Sequence, residues 1–335
     1  MDPKDLAPPL PVALVDALRQ CSIHTDMDFL FSGTVDDLLR RLSSYPILRD
    51  ELEFYLAQVA RLASAPACTG TERYTQAHRS RVSAPYFRTG IQDLDELIDC
   101  FGGSRVIEIS GVQGSGKTAL ARHLTLQHLS KVPDSVALWL DTTGDFEVEK
   151  GAKWLVKAEG QAAVTALERL QVSMPLKDVE EAEALLNALR SSLSNPPGDG
   201  LITRCIVIDT VTKLLASRLS AASSQGHAFM TTFMRELRSL ARTYSVAVYV
   251  INDTSSAQPC NPASAFTSNT RKPALGPSFA FLTDACLWLA KCDTYGINND
   301  DGTTSHVAEV LRSRATQSGR WCTFKIRDGI FLQPS

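Results

Sequence analysis

The apolar positions change their period partway along the chain. Val12, Leu14, Val15 and Leu18, and later Leu48, Leu52, Leu56, Val59 and Leu62, recur at helical spacing, as on the buried face of an amphipathic helix. Asp26–Phe31 reads as a short second element, and Ile47–Ala63 as a longer amphipathic one. Thr34 is an N-cap residue for Val35–Leu42, with Asp36 and Asp37 in the first turn where the helix dipole favours anions. Residues 1–63 are therefore expected to form a small all-helical domain.

Residues 64–88 break the pattern with small residues, two prolines and few aliphatics, the composition of a linker. From Thr89 apolar strand-like runs alternate with helical ones. The strands expected are Arg105–Ser110, Val136–Asp141, Leu170–Ser173, Cys205–Asp209 and Val246–Asn252. Helices are expected after Lys117 and over Glu147–Ala158, Gln161–Arg169, Val179–Leu193 and Ala228–Tyr244. Four later strands follow: Thr283–Ala290, Val307–Leu311, Thr323–Arg327 and Ile330–Leu332. Alternation first and strands last predicts an α/β domain over residues 89–335, its central sheet mostly parallel with an antiparallel extension.

Composition changes this picture little. With 335 residues, 44% of them hydrophobic and 21% charged, the chain can bury a substantial core. A net charge of −3 gives no global signature of nucleic-acid binding, so any such contact must come from a local patch. None of the eight cysteines forms a C-x-x-C pair or has a histidine at zinc spacing. Cys205 and Cys286 lie in apolar runs, where reduced thiols pack as small hydrophobes, so a reducing compartment is expected. The proline-broken, acidic start is not a signal peptide, and no run of eighteen apolar residues marks a membrane helix.

The chemistry concentrates at Gly111–Thr118, Gly-Val-Gln-Gly-Ser-Gly-Lys-Thr, which fits the phosphate-loop pattern between an apolar strand and an apolar-periodic helix. Backbone N–H groups of Gly111, Val112, Gln113, Gly114, Ser115 and Gly116 can wrap a triphosphate, because glycine tolerates positive φ and close approach. Lys117 supplies a cation for the phosphates and Thr118 a hydroxyl for Mg²⁺. Such a site needs an acid at the end of a second apolar strand, and Asp209, ending Ile206-Val207-Ile208, supplies it. The cofactors expected are ATP and Mg²⁺. Hydrolysis further requires a carboxylate to orient water. Where one is expected the chain reads Leu140-Asp141-Thr142-Thr143-Gly144-Asp145.

The phosphate loop, Asp141-Thr142-Thr143-Gly144, Cys205–Thr210, Val246–Asp253 and Lys272–Gly276 follow one another in the order of the eukaryotic strand-exchange recombinases of RecA/RadA type. Thr89–Ile98 resembles the lead-in to that ATPase core. The likeness spans about residues 74–330, and is strongest to a paralogue of that recombinase, of the D type. The resemblance implies a RecA-like core, action in homologous-recombination repair in the nucleus, and partnership with other paralogues, the recombinase and single-stranded DNA. Two departures favour a paralogue. Thr143 stands where the recombinase has the glutamate that activates water, and loss of a positioned base costs about 10²–10⁴ in rate. Asp253 stands where it has a γ-phosphate-sensing glutamine, and repels a triphosphate unless Mg²⁺ or a lysine intervenes.

In such proteins two loops bind DNA. The second corresponds to residues 254–271, a stretch with no acid, Phe266 able to stack a base, and Arg271-Lys272 at its end. A plain disordered loop is the alternative, since two cations are few. The first falls near Ser217–Gly226, with Arg218 its one charge. Arg312 and Arg314 read as solvated loop positions. Tyr74 and Ala77 in the linker match an aromatic-x-x-Ala motif that in the recombinase docks on the next subunit; packing of Tyr74 on its own domain is the alternative. Three readings remain: an ATP-binding assembly paralogue, an active recombinase, and a P-loop switch without DNA.

Overall fold

The structure, a computed structural model, describes residues 10–43, 45–64, 69–72, 75, 87–147, 161–176, 178–195, 200–216, 218–219, 224–292 and 302–332. Tyr74 and Ala77 lie outside them, as does the expected helix over Glu147–Ala158 beyond its first residue. The chain divides into two compact units, Met1–Gln76 and Ala77–Ser335.

In the smaller unit the helices are α1 (Val12–Gln20), α2 (Asp26–Phe31), α3 (Val35–Arg41) and α4 (Arg49–Ala63). Thr25 and Thr34 each accept the backbone N–H three residues on, while Asp28 and Asp37 accept theirs in return. These capping boxes satisfy N–H groups that a helix start otherwise leaves unpaired. Leu14, Leu18, Phe29, Leu38, Leu52 and Val59 meet in the unit's core.

The larger unit begins with α5 (Gln92–Leu97) and β1 (Val106–Gly111), followed by α6 (Lys117–Lys131), β2 (Ser135–Asp141), α7 (Gln161–Glu168), β3 (Leu170–Val172) and α8 (Val179–Ser194). Next come β4 (Ile202–Asp209), α9 (Val211–Ala216), α10 (Ser224–Tyr244), β5 (Ala247–Asn252), β6 (Thr254–Ser256), β7 (Arg271–Pro273) and α11 (Gly276–Leu282). The chain then runs through β8 (Ala285–Lys291), β9 (Thr304–Ser313), β10 (Trp321–Arg327) and β11 (Ile330–Leu332). One sheet has the order β11-β10-β9-β8-β1-β5-β4-β2-β3. The six strands from β8 to β3 are parallel, and β9, β10 and β11 extend the sheet antiparallel.

Both faces of this sheet are covered, so its central strands are predominantly apolar, with Glu108 and Ser110 of β1 the buried polar exceptions in that strand. Ile107, Ile109, Val207, Tyr249 and Ile251 pack with Leu120 and Leu124 of α6 on one side. Val106, Ile206, Ile208, Val248 and Val250 pack with Phe233 and Leu237 of α10 on the other. The carboxyl ends of β1, β2, β4 and β5 thereby converge, where parallel α/β sheets place their ligands.

Two expectations fail. Residues 254–272 are not a featureless loop: β6 and β7 pair antiparallel, Ala257 N donates to Thr270 O, and Asn261 N to Asn269 O. Thr283 and Asp284 stay outside β8, and Asp284 instead accepts the Val106 N–H through its side chain.

Candidate nucleotide site

The phosphate loop leaves β1 at Gly111, where a Cβ would run into the Leu289 carbonyl oxygen of the neighbouring strand. Gly116 sits at the N-cap of α6 with φ 97°, and a Cβ there would come within 2.8 Å of Ile326 Cδ1. The first position requires glycine for space, and the second for its left-handed backbone. Between them Ser115 N donates to Val112 O at 3.1 Å, and the Ser115 carbonyl lies 3.0 Å from His306 Nδ1. Ser115 Oγ is buried with no hydrogen-bond partner.

Lys117 Nζ donates to the carbonyls of Gly111 (2.7 Å) and Val112 (3.2 Å) and lies 3.8 Å from Asp253 Oδ1. Burial holds its pKa below the usual range, against the pull of Asp253 and Asp209. Thr118 Oγ1 donates to Asp209 Oδ2 at 2.9 Å. Burial pushes Asp209 up to about 6; Thr118 opposes the shift and Asp141 adds to it. That carboxylate is short of positive charge, and a hard divalent cation held by it and by the Thr118 hydroxyl would supply it. Glycines that admit a close ligand, an unpartnered buried hydroxyl and a paired hydroxyl and carboxylate together fit Mg²⁺-bound ATP. Thr118 and Asp209 would hold the metal, and the loop with Lys117 the phosphates.

At the end of β2, Asp141 is used up by the turn. Its Oδ1 accepts Thr143 N (2.9 Å), Thr143 Oγ1 (3.1 Å) and Gly144 N (2.9 Å), and its Oδ2 accepts Phe146 N (3.3 Å). Thr143 and the exposed Asp145 line the nucleotide pocket. A threonine hydroxyl is no base near neutral pH, which leaves Asp145 as the carboxylate of this turn with access to the pocket.

The end of β5 carries a network that the sequence reading missed. Glu108 is fully buried in β1, and its Oε1 accepts from Ser110 Oγ (2.8 Å) and Asn252 Nδ2 (2.7 Å). Asn252 Oδ1 accepts from Thr212 Oγ1 (2.7 Å), which in turn accepts the Asp253 N–H (2.8 Å). Burial raises the Glu108 pKa, opposed by the hydrogen bonds from Asn252 and Ser110. The chain ties β1 to the residue that faces Lys117. A lone acid in an otherwise apolar strand was the available signal.

The stretch expected to meet DNA is anchored. Ser264 Oγ (2.7 Å) and Ala265 N donate to the buried Glu309 of β9, and Phe266 packs against Trp321 with centroids 5.4 Å apart. Phe266 is thus partly spent on Trp321 rather than free. Arg271 and Lys272 lie in β7, Arg271 exposed. Arg218 pairs with Glu180 and lies over the Phe229 ring, 5.9 Å from its centroid. Arg312 lies in β9 and not in a loop, contrary to expectation, whereas Arg314 follows the strand and is exposed. Arg312 donates to the Ala280 and Thr283 carbonyls, and Arg314 to the Phe281 carbonyl.

A model of the Rad51 family matches residues 79–296. Two relatives are each described as a DNA repair protein RAD51 homolog 4. The Bos taurus protein is 28% identical over 295 residues, covering 87% of this chain and 85% of the relative. The Mus musculus protein is 28% identical over 290 residues, covering 85% and 82%. Among solved structures, the crystal structure of the RadB recombinase matches with a TM-score of 0.56 and 20% identity, over 74% of this chain and 100% of that one. At that identity the match shows the RecA-like fold.

Proposed function

The chain belongs to the Rad51 family, and from that premise we propose that it is an ATP-binding recombinase paralogue acting in homologous-recombination repair in the nucleus. It joins other paralogues and helps load or stabilise the recombinase on single-stranded DNA. The observation that carries the reading is the Lys117–Thr118–Asp209 constellation at the mouth of a glycine cradle. Relatives named as DNA repair proteins support the repair role. Thr143 in place of a water-activating carboxylate favours a nucleotide that sets assembly over one consumed quickly. Arg271 and Lys272 are the proposed phosphate contacts on DNA, with Arg218 contributing once released from Glu180. Tyr74 and Ala77 are the proposed docking motif for a neighbouring subunit.

Titration of the purified chain with a non-hydrolysable ATP analogue and Mg²⁺ tests the nucleotide reading. Lys117→Ala removes charge-assisted bonds of about 1.5–3 kcal/mol, so its affinity is expected to fall roughly 10- to 150-fold. Equal affinity of variant and wild type would remove the phosphate-loop assignment. A second reading, a catalyst that turns over slowly by itself, is favoured by Asp145 alone, exposed in the pocket beside Thr143.

A further inference from the structure

The nucleotide pocket is poor in positive charge for the ligand it is read to hold. Asp145, Asp209, Asp253 and Asp328 line it, with Lys117 its one lysine or arginine among the described residues. A triphosphate brings further negative charge, which a single Mg²⁺ offsets only in part. Among the same lining residues His306 is the other group able to carry positive charge.

The sheet fixes where this ring stands. His306 lies in β9, opposite Phe324 of β10 on one side and Lys291 of β8 on the other. It is 2% exposed, and its ring stacks on Phe324 with centroids 5.4 Å apart. Nδ1 lies 3.0 Å from the Ser115 carbonyl oxygen and Nε2 lies 2.8 Å from Thr304 Oγ1. Thr304 Oγ1 is also 3.2 Å from the Ile326 carbonyl oxygen. Gly116 faces the ring, since a Cβ there would lie 3.8 Å from Nδ1.

These partners allow both protonation states. A carbonyl only accepts, so Nδ1 carries a hydrogen and donates to Ser115. In the neutral ring Nε2 is an acceptor, and the Thr304 hydroxyl donates to it. In the charged ring Nε2 donates to Thr304 instead, whose hydrogen turns to the Ile326 carbonyl. Protonation therefore strands no donor and adds one hydrogen bond. His128 of α6 is the contrast: its Nδ1 is buried without a partner, so charging that ring would leave a donor unpaired.

Without ligand the ring is held neutral. Burial lowers its pKa, the bond to Ser115 opposes the shift, and Lys291 adds to it. Lys325 and Arg327 of β10 alternate to the other side of that strand from Phe324 and Ile326. Lys117 and the four aspartates share the pocket with the ring, and Lys291 is the charge that acts on it. A triphosphate on the loop that His306 supports reverses the balance, because a nearby negative charge favours the imidazolium.

We propose that His306 takes up a proton from solvent when a triphosphate occupies the phosphate loop, and as imidazolium serves beside Lys117 as the pocket's second cation. Its Nδ1–H positions the loop in both states by holding the Ser115 carbonyl. The inference rests on ATP occupying that loop. A ligand that raises the proton affinity of a group binds more tightly as pH falls, until the free form is protonated as well.

Calorimetric titration of the full chain with Mg²⁺ and a non-hydrolysable ATP analogue tests it. Buffers of different ionisation enthalpy, between about pH 8 and pH 6, let affinity and proton uptake be read together. Asp209 titrates in the same range, as does the analogue, so wild type is compared with His306→Asn, in which both remain. Asparagine can donate to Ser115 from the position of Nδ1 but does not titrate. Relative to that variant, the wild type is expected to gain roughly three- to tenfold in affinity from pH 8 to pH 6 and to take up more protons on binding. His306→Leu, which loses the donor too, should bind more weakly than His306→Asn at pH 8. Parallel affinity profiles and equal proton uptake in wild type and His306→Asn overturn the proposal. If the asparagine variant folds poorly, the His306 ring resonances of the wild type decide by NMR. With analogue bound they should reach their imidazolium positions at higher pH, and an unchanged titration overturns the proposal. A wild type that binds no analogue at any pH overturns the nucleotide reading first, and this inference with it.

Discussion

Asp253 and Lys117 hold each other at 3.8 Å across the nucleotide pocket, and a triphosphate must separate them. Asp253 is half exposed, so solvent screens its charge and its effect on ligand is of the order of 1 kcal/mol. Asp253→Asn removes the competing anion while keeping the shape. Affinity for the ATP analogue is expected to rise roughly fivefold, most at low salt. A titration showing equal or weaker binding would mean that the pairing does not oppose the ligand. At this scale the sequence is readable where chemistry sits in short local motifs: Gly111–Thr118, the strand-ending Asp209, and Thr143 in the turn after β2. It was silent on residues whose role depends on distant partners. Arg312 meets carbonyls some thirty positions away, at Ala280 and Thr283, and Glu309 receives Ser264 and Ala265 across forty-odd. Nothing in local pattern distinguishes those side chains from solvated ones.

Among the elements, α6 shows what full burial does to a polar face. Its histidine His128 is 3% exposed, stacked on Phe87 with centroids 3.9 Å apart, and its Nε2 lies 3.0 Å from Ser135 Oγ. Its Nδ1 is buried without a partner. Burial, with Arg204 and Arg169 nearby, lowers the pKa to about 4 from 6.5. Above 6.5 the ring is neutral in both folded and unfolded chains, and it makes no pH-dependent contribution. As pH falls from 6.5 towards 4, the unfolded chain takes a proton that the folded one refuses, and stability drops by up to about 3 kcal/mol. His128→Phe keeps a ring against Phe87 but cannot titrate. Denaturant melts at pH 7.5 and 4.5 should show the variant weaker at the first and level with or above wild type at the second. Parallel loss in both proteins would assign the acid sensitivity to other groups. The long apolar strands and α8 and α10 were legible from periodicity because burial on both sheet faces imposes it. The β6–β7 hairpin was not, since the three-residue strands Thr254–Ser256 and Arg271–Pro273 carry no apolar alternation, and their order comes from pairing and from Glu309.

On the scale of the whole molecule, the change of apolar period reports two hydrophobic cores. One gathers Leu14, Phe29, Leu38 and Leu52 within Met1–Gln76, and the other lies on both faces of the large sheet within Ala77–Ser335. The described residues of the nucleotide pocket all lie in the second unit. A ligand that binds a folded unit stabilises that unit and no other, by RT ln(1 + [L]/Kd), about 2.7 kcal/mol at a hundredfold excess over Kd. For a unit of this size that corresponds to roughly 5–10 °C. Calorimetry of the full chain should therefore resolve two transitions. Mg²⁺ with a non-hydrolysable ATP analogue is expected to raise the one with the larger enthalpy and leave the smaller in place, since enthalpy scales with the number of residues that unfold. In Lys117→Ala neither should move. A single transition that shifts as a whole would show that the two cores melt as one cooperative unit, so that nucleotide stabilises the helical unit as well.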